Sequence, residues 1–547
     1  MRVPCHPSAP GSTPLVRVEN PKFERPEGRS GPTTFGASAS FRWTAENGHT
    51  YNITPMANPD PAPARGRVHF VSLGCPKNRV DSEIMLGHLE DAAFDVTAEA
   101  GDADVIVVNT CGFIEDAKKE SIDTILEMAR QKQEGRCQRL IVTGCLVQRY
   151  AKELAAEIPE IDTLLGNGEY LGVAEAALST LDRGGAGPTV AVAHPTFIHN
   201  AATPRVNTFL PHSAYAKVAE GCDQKCTFCI IPNLRGLQRS RPIDDVVREA
   251  ESLKARGVVE LNLIAQDLTG YGHDLSPKAT LAELLRALGK ADSPDWIRVH
   301  YAYPRPFGKA LLSAFAEEPK VLPYVDMPLQ HIADPVLKRM ARGRPRRFIE
   351  KLLQEIRGAI PSVTLRTSFI VGFPGETADD FRELVEFVKG EDFEHVGVFK
   401  FSREEGTPSH DMEDQVPTEL IEERHDALMT ELRKKSQAKK ASYVGRRLEV
   451  LVDGPSSETE LLLAGRHRGQ APEVDGTTYI NDGMASAGDL VEVEITESFD
   501  YDLVGHITRT LKPAPARPDH PRLEAAPASA ALLSRGSRGR SALRIVD

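Results

Sequence analysis

Cys222, Cys226 and Cys229 stand in the run GluGlyCysAspGlnLysCysThrPheCys, a CxxxCxxC spacing directly after an apolar stretch that reads as a strand. Three thiolates on one tight loop can hold three irons of a 4Fe-4S cube, leaving the fourth iron for a small-molecule ligand. A zinc ion is the alternative, but a structural zinc site takes four closed protein ligands. His212 is the candidate for the fourth, and Gly221 and the strand would have to fold back to bring it there.

Cys75, Cys111 and Cys145 form a second set, in SerLeuGlyCys, AsnThrCysGly and ThrGlyCysLeu. Each follows the end of a predicted strand. In a parallel sheet those ends lie side by side, where α/β folds place their ligands, so thiols 36 and 34 residues apart can converge. Gly74, Gly112 and Gly144 flank them and leave the backbone room. Ordinary buried cysteines are common in sheets, but three at equivalent positions favour a second cluster. Cys5 and Cys137 match neither set and are read as incidental.

The elements that must carry these residues follow from periodicity. Apolar runs at 68–73, 104–108 and 139–143 read as strands, separated by helical patterns near 82–91, 115–130 and 151–157. Strands alternating with helices indicate an open α/β sheet. The alternation restarts at 214–219, with strands expected at 259–265, 297–301, 324–327, 364–371 and 395–401 and helices such as 243–256, 281–288 and 378–389. Six β/α units predict a parallel, partial (β/α)6 barrel, shorter than the eight-unit one. A charged helix over 419–438 ends it. From 443 onward short strands such as 448–452 and 490–495, with AspGly turns at 453–454, 475–476 and 482–483, predict a small all-β barrel.

The fold class is thus α/β, in three domains with two loose ends: 1–66 an extension without packed structure, 67–205 the open α/β cluster-binding domain, 206–442 the partial barrel, 443–511 the all-β barrel, and 512–547 a tail. Residues 1–66 hold eleven prolines, too little apolar periodicity to offset chain entropy, and Met56 as a possible start of translation.

Composition excludes several function classes. With 41% apolar and 26% charged residues the chain reads as a soluble globular protein. It has no apolar run of the roughly 20 residues that cross a bilayer and no apolar leader, which places it in the cytoplasm, with no membrane partner. A net charge of -12 argues against a protein built chiefly to hold nucleic acid. Eight cysteines in such a chain are metal-binding or catalytic thiols, not a disulfide framework. The P-loop, GxGxxG and haem-attachment signatures are absent.

Several segments, taken together, resemble the radical S-adenosylmethionine methylthiotransferases: 72–83 (SerLeuGlyCysProLysAsnArgValAspSerGlu), 220–232, ArgSerArgPro at 239–242, MetProLeuGlnHis at 327–331 and ValGlyPheProGlyGlu at 371–376. The resemblance covers about 68–511 and includes the domain order, ending in a TRAM-type barrel. It implies an enzyme that replaces C–H by C–S–CH3. Two 4Fe-4S clusters would serve it: one on Cys222, Cys226 and Cys229 that binds S-adenosylmethionine and yields a 5′-deoxyadenosyl radical, and an auxiliary one on Cys75, Cys111 and Cys145 that delivers sulfur. A flavodoxin-like or ferredoxin-like electron donor and a sulfur donor are implied as partners. Residues 75–83 and HisTyrAlaTyrPro at 300–304 look closest to the branch that modifies an aspartate of ribosomal protein S12; the sibling branch modifies an adenosine of transfer RNA. A plain iron–sulfur electron carrier is the third class, and two cysteine triads argue against it, since a carrier's cluster usually has four protein ligands.

The charge of the last domain bears on the branch. Between Val444 and Leu511 five basic residues face thirteen acidic ones, a balance of -8 over 68 residues. Such a domain repels phosphates and attracts a basic protein, of which ribosomal proteins are typical; a merely soluble acidic surface is the alternative. On this reading the acidic barrel docks S12 and brings its aspartate to the mouth of the radical barrel.

Further residues are assigned to cofactor binding: Gly372, Gly375 and Glu376, whose loop either wraps the methionine or ribose of the cofactor or is a plain strand-to-helix turn, and Phe228, which packs beside the adenine or shields the cluster. The 265–272 segment offers polar groups to the barrel mouth. Arg339, Arg342, Arg344, Arg346 and Arg347 read as a solvated helix end rather than a substrate contact.

Overall fold

Runs of buried aliphatic residues build two parallel sheets. The computed structural model describes residues 41–44, 50–53, 65–179, 188–459, 461–515 and 523–525. The first sheet has strands Gly66–Ser72 (β1), Phe94–Val96 (β2), Val105–Thr110 (β3), Arg139–Gly144 (β4), Thr163–Leu165 (β5) and Thr189–Ala191 (β6), in the order β2-β1-β3-β4-β5-β6. All neighbours are parallel. The central β3 is buried at every position, as a strand covered on both faces must be. Sequence periodicity reveals only β1, β3 and β4, because the three-residue strands are too short to carry a period.

The second sheet runs Ser213–Lys217 (β7), Glu260–Ile264 (β8), Trp296–Val299 (β9), Val321–Asp326 (β10), Thr364–Val371 (β11) and His395–Lys400 (β12), each parallel to the next in sequence. With β7 and β12 at its edges, this is the expected partial barrel. Helices cover it outside; Leu281–Lys290 begins in a capping box in which Thr280 and Glu283 satisfy one another's backbone N–H groups. Thr418–Ala441 buries Ile421, Leu428 and Leu432 and ends the unit.

Five strands, Arg447–Pro455, Leu463–His467, Thr478–Ala485, Leu490–Ser498 and Leu503–Lys512, then close on themselves, the second pairing with the third. Asp453-Gly454 and Asp482-Gly483 are not the turns expected. They sit inside strands at register shifts, where Gly454 and Gly483 at φ +126° and +116° absorb the extra residue.

This β-domain plugs the bottom of the parallel barrel. Asp453 meets His212, Arg466 meets Glu260, Glu449 accepts from Trp296, and Gly469 O bonds His395, all at or just before strand starts. Its own acids are spent in the joint: Asp475 takes the Tyr324 hydroxyl at 2.8 Å and lies beside Arg366 and His395. Part of the acid count is therefore internal. The domain meets the starts of the barrel strands, and its Glu473 reaches Arg79 at 2.8 Å, one turn past Cys75.

Two segments read as structureless carry strands. Phe41–Thr44 pairs antiparallel with Thr50–Ile53. Leu523–Ala525 adds to Thr478–Ala485. The readings placed on Cys5, Met56 and the remainder of both ends lie outside the described residues. Among those described, no helix is long and apolar enough to cross a membrane.

Candidate active site

Register brings the first three cysteines together. Ser72 pairs with Asn109 and Thr110 with Gly144, so the residues after β1, β3 and β4 share one sheet edge. Cys75 caps the helix Pro76–Asp91 (α1), and Cys145 opens the helix Cys145–Glu157 (α2). Glycine lets them approach: a Cβ on Gly74 would stand 2.8 Å from Cys111 Cβ, and one on Gly112 would stand 2.9 Å from the Cys145 carbonyl carbon. Both α1 and α2 start earlier than their apolar period suggests; in α1 the first turns bury Lys77, Asn78, Asp81, Ser82 and Glu83 against the barrel.

The second set lies on the loop after β7. Gly221, at φ +82°, turns against Gly236 O, where a Cβ would come within 2.6 Å. Cys222 N–H donates to that same carbonyl at 3.1 Å, and Gln224 N–H donates to Cys222 Sγ at 3.5 Å. Thr227 bonds Arg339 O and Met340 O, and Arg342 Nη1 donates to Cys226 Sγ at 3.5 Å. Within each set the thiols interact electrostatically. Burial pushes Cys222 and Cys229 up to about 12. Burial raises Cys111 and Cys145 too, with Arg235 pulling Cys145 back. Iron would offset that burden by taking the thiolates.

Among the described residues no three His, Cys, Asp or Glu side chains converge on a single-ion position. His212 is held by Asp453 at the far end of the barrel. A cube that takes one thiolate per iron needs its thiols spread apart, so donor set and glycine packing fit a cluster better than a lone zinc.

Between the two sets lies a sealed charge network that sequence reasoning does not single out. Arg235 donates to Asp81 (2.7 Å), Asn78 (2.8 Å), Glu220 (3.3 Å) and Cys145 Sγ (3.6 Å). Lys217 is hydrogen-bonded to both Asp81 and Glu220, and Gln266 donates to Glu220. Burial disfavours the Glu220 carboxylate, but Lys217 and Arg235 override that and hold it far below the usual range. Two cations and two anions balance across the domain boundary.

The cofactor-loop residues are engaged within the protein. Glu376 accepts from Gly372 N–H and from Arg424, both at 2.8 Å, and burial raises its carboxyl to about 7 in spite of Arg424. Gly372 and Gly375, at φ +79° and +80°, pack on Ile421 and Arg339. Phe228 stands edge-on to Phe373. Within the arginine run Arg344 and Arg347 are exposed, as a solvated end would be, but Arg342 is buried, with its guanidinium 4.2 Å from the Tyr303 ring centroid. Ala341 and Gly343, both at positive φ, turn it inward. In the 265–272 segment, Asp267 accepts from Gln224 at 2.9 Å and from Arg305, tying the cysteine loop to the barrel mouth.

Comparison with known proteins agrees with this layout. The family model described as Uncharacterized protein family UPF0004 matches residues 67–166, that of the Radical SAM superfamily 217–388, and that of the TRAM domain 444–508. Ribosomal protein uS12 methylthiotransferase RimO of Anaeromyxobacter sp. (strain Fw109-5) is 54% identical over 466 residues, 84% of this chain and 98% of its own. The protein of the same name from Myxococcus xanthus (strain DK1622) is 51% identical, covering 84% of this chain and 95% of its own. A solved radical S-adenosylmethionine methyltransferase from Kitasatospora setae aligns with 63% of this chain and 77% of its own at 18% identity and TM-score 0.46. The chain belongs to the radical S-adenosylmethionine methylthiotransferases, in the family named ribosomal protein uS12 methylthiotransferase RimO.

Proposed function

We propose that this enzyme methylthiolates the β-carbon of an aspartate in ribosomal protein S12. The observation that carries the reading is identity above one half with a uS12 methylthiotransferase along 98% of that relative's length. Cys222, Cys226 and Cys229 would hold the cluster that binds S-adenosylmethionine, and Cys75, Cys111 and Cys145 an auxiliary 4Fe-4S cluster. Bound there, the two groups would supply a carbon-centred radical for the unactivated C–H bond and the sulfur that replaces the hydrogen. The protein's own part is placement: Arg235, Asp81, Lys217 and Glu220 lock the two cysteine sets in one frame, while Arg342 and Asp267 brace the Cys222–Cys229 loop. Phe228 and the Gly372–Gly375 loop would flank the cofactor, with Glu376 fixing the loop from behind. The reading includes a cytoplasmic location, a flavodoxin-like or ferredoxin-like reductant and a separate sulfur donor. Mass spectrometry of S12 and transfer RNA from a strain lacking this gene tests it. The methylthio group should vanish from S12 aspartate alone; its loss from adenosine instead would overturn the reading.

A further inference from the structure

Most buried cations around the cysteines are matched with acids, and Arg342 spends its donors on Cys226 Sγ and Pro328 O. Lys217 and Arg235 share Asp81 and Glu220, Arg205 pairs with Glu83 and Glu249, and Arg241 pairs with Asp245 and Glu249. Lys77 is different. It is 8% exposed, yet among the described residues its ammonium has no hydrogen bond and no ion pair, and it is not sealed from solvent. Its contact is the face of Tyr301, 3.2 Å from Nζ to the ring centroid.

That contact spans the two halves of the site. Lys77 is two residues past Cys75, and Tyr301 follows β9 at the barrel mouth. The segments 75–83 and 300–304, which carry the likeness to the protein-modifying branch, meet here. Tyr301 is held at φ +59°, an unfavourable conformation for an aromatic residue. Asp326 takes its N–H at 3.1 Å and Leu268 N–H bonds its carbonyl at 3.1 Å, so the strain is imposed from both sides. Strain of this kind persists where the surroundings over-determine it, typically at ligand sites.

An aromatic face holds an ammonium without using its N–H donors. A nearly buried cation with idle donors gains most from an anion brought to it. The neighbouring quartet is already neutral, so it does not serve. An adenine ring has no anion to offer. In aspartate the carboxylate is bonded directly to the β-carbon, so an anchored carboxylate fixes the reacting C–H one bond away. We infer that Lys77, steadied by Tyr301, receives the carboxylate of the substrate aspartate and selects it over uncharged side chains. The inference rests on the protein-modifying reading above.

Fluorescence-anisotropy titrations test it, using S12 with aspartate or asparagine at the modified position and iron-loaded wild type, Lys77→Gln and Lys77→Arg. Wild type should prefer the aspartate form by roughly tenfold. Lys77→Gln should bind both forms alike, and Lys77→Arg should keep the preference. No preference in wild type, or a preference that survives in Lys77→Gln, overturns the assignment. A preference intact in Lys77→Gln beside a shifted cluster potential would make Lys77 a counter-charge for the cluster, which also overturns it. Should Lys77→Gln not load iron, the two-substrate comparison on wild type and Lys77→Arg decides by the same preference. Wild type that binds neither form of S12 yet modifies transfer RNA would remove the substrate reading and this inference together.

Discussion

Arg235 Nη2 lies 3.6 Å from Cys145 Sγ, so a residue six positions past the last cysteine of one set donates to a thiol of the other. The same guanidinium binds Asp81 and Glu220. One side chain, only 2% exposed, therefore links the first sheet edge to the second domain.

Replacing it tests that coupling. Arg235→Leu leaves Lys217 alone against two buried carboxylates, an imbalance that costs on the order of 3–5 kcal/mol. The melting temperature should drop by several degrees and iron content should fall toward half, the Cys75 set emptying first. Arg235→Lys keeps charge but loses the fork, so it should restore stability more than iron. Unchanged iron in Arg235→Leu would separate the network from cluster retention.

Cys226→Ala removes one of three thiolates from the radical loop. It should abolish production of 5′-deoxyadenosine and leave about four irons at the other site. Continued cleavage of S-adenosylmethionine by this variant would refute the assignment.

Changing Cys75, Cys111 and Cys145 together to alanine should do the reverse. Reductive cleavage should persist while methylthio formation stops, because the route for sulfur is gone. A triple variant that still methylthiolates substrate would show that sulfur arrives elsewhere.

Most of the strands, and the cysteine triads, were legible because the central strands are apolar and each thiol follows one. What escaped notice was polar and buried. Asp81, Asn78 and Lys77 interrupt the apolar period of α1, so its first turns look like loop, yet they pack inward because a second domain covers them. Arg342 looked solvated for the same reason: charge in sequence does not say whether a partner waits inside. The acid count of the β-domain was right, but Asp453 and Asp475 face the barrel rather than water.

Acid should loosen the barrel through its buried histidines before it protonates Glu260. Burial holds His300 and His395 down to about 4 and His331 to about 3, against 6.5 when unfolded. The unfolded chain binds more protons in that interval, so the stability contributed by these neutral rings is complete above about 6.5 and is lost as pH falls through the folded values. Glu260 follows later: burial opposes its charge, but Arg466 and Arg298 hold it at about 2, so its contribution fades below 4.5. Melting curves should decline from about pH 6.5 downward. His300→Gln, able to keep a bond toward Asn262, should decline less steeply; equal slopes would exclude His300 as a contributor.

The acidic β-domain makes a narrower prediction than its charge first suggested. It packs on the strand starts of the parallel barrel, so its outward acids are placed to steer a basic partner rather than to hold an aspartate at the mouth. Glu492 and Glu494 pair with Arg447 and Arg509, and Asp500 accepts from Gln437. Converting Glu492, Glu494 and Asp500 to lysine reverses the local field while leaving the cysteines untouched. Steering acts on encounter, so the association rate with S12 should fall by roughly threefold at low salt and recover near physiological ionic strength or above, where charges are screened within about 8 Å. The dissociation rate should stay as it was, since no contact is lost. Stopped-flow mixing at several salt concentrations separates the two. A faster dissociation that persists at high salt would mean these acids touch the bound protein directly, and the docking surface would then have to reach from the mouth down to the β-domain.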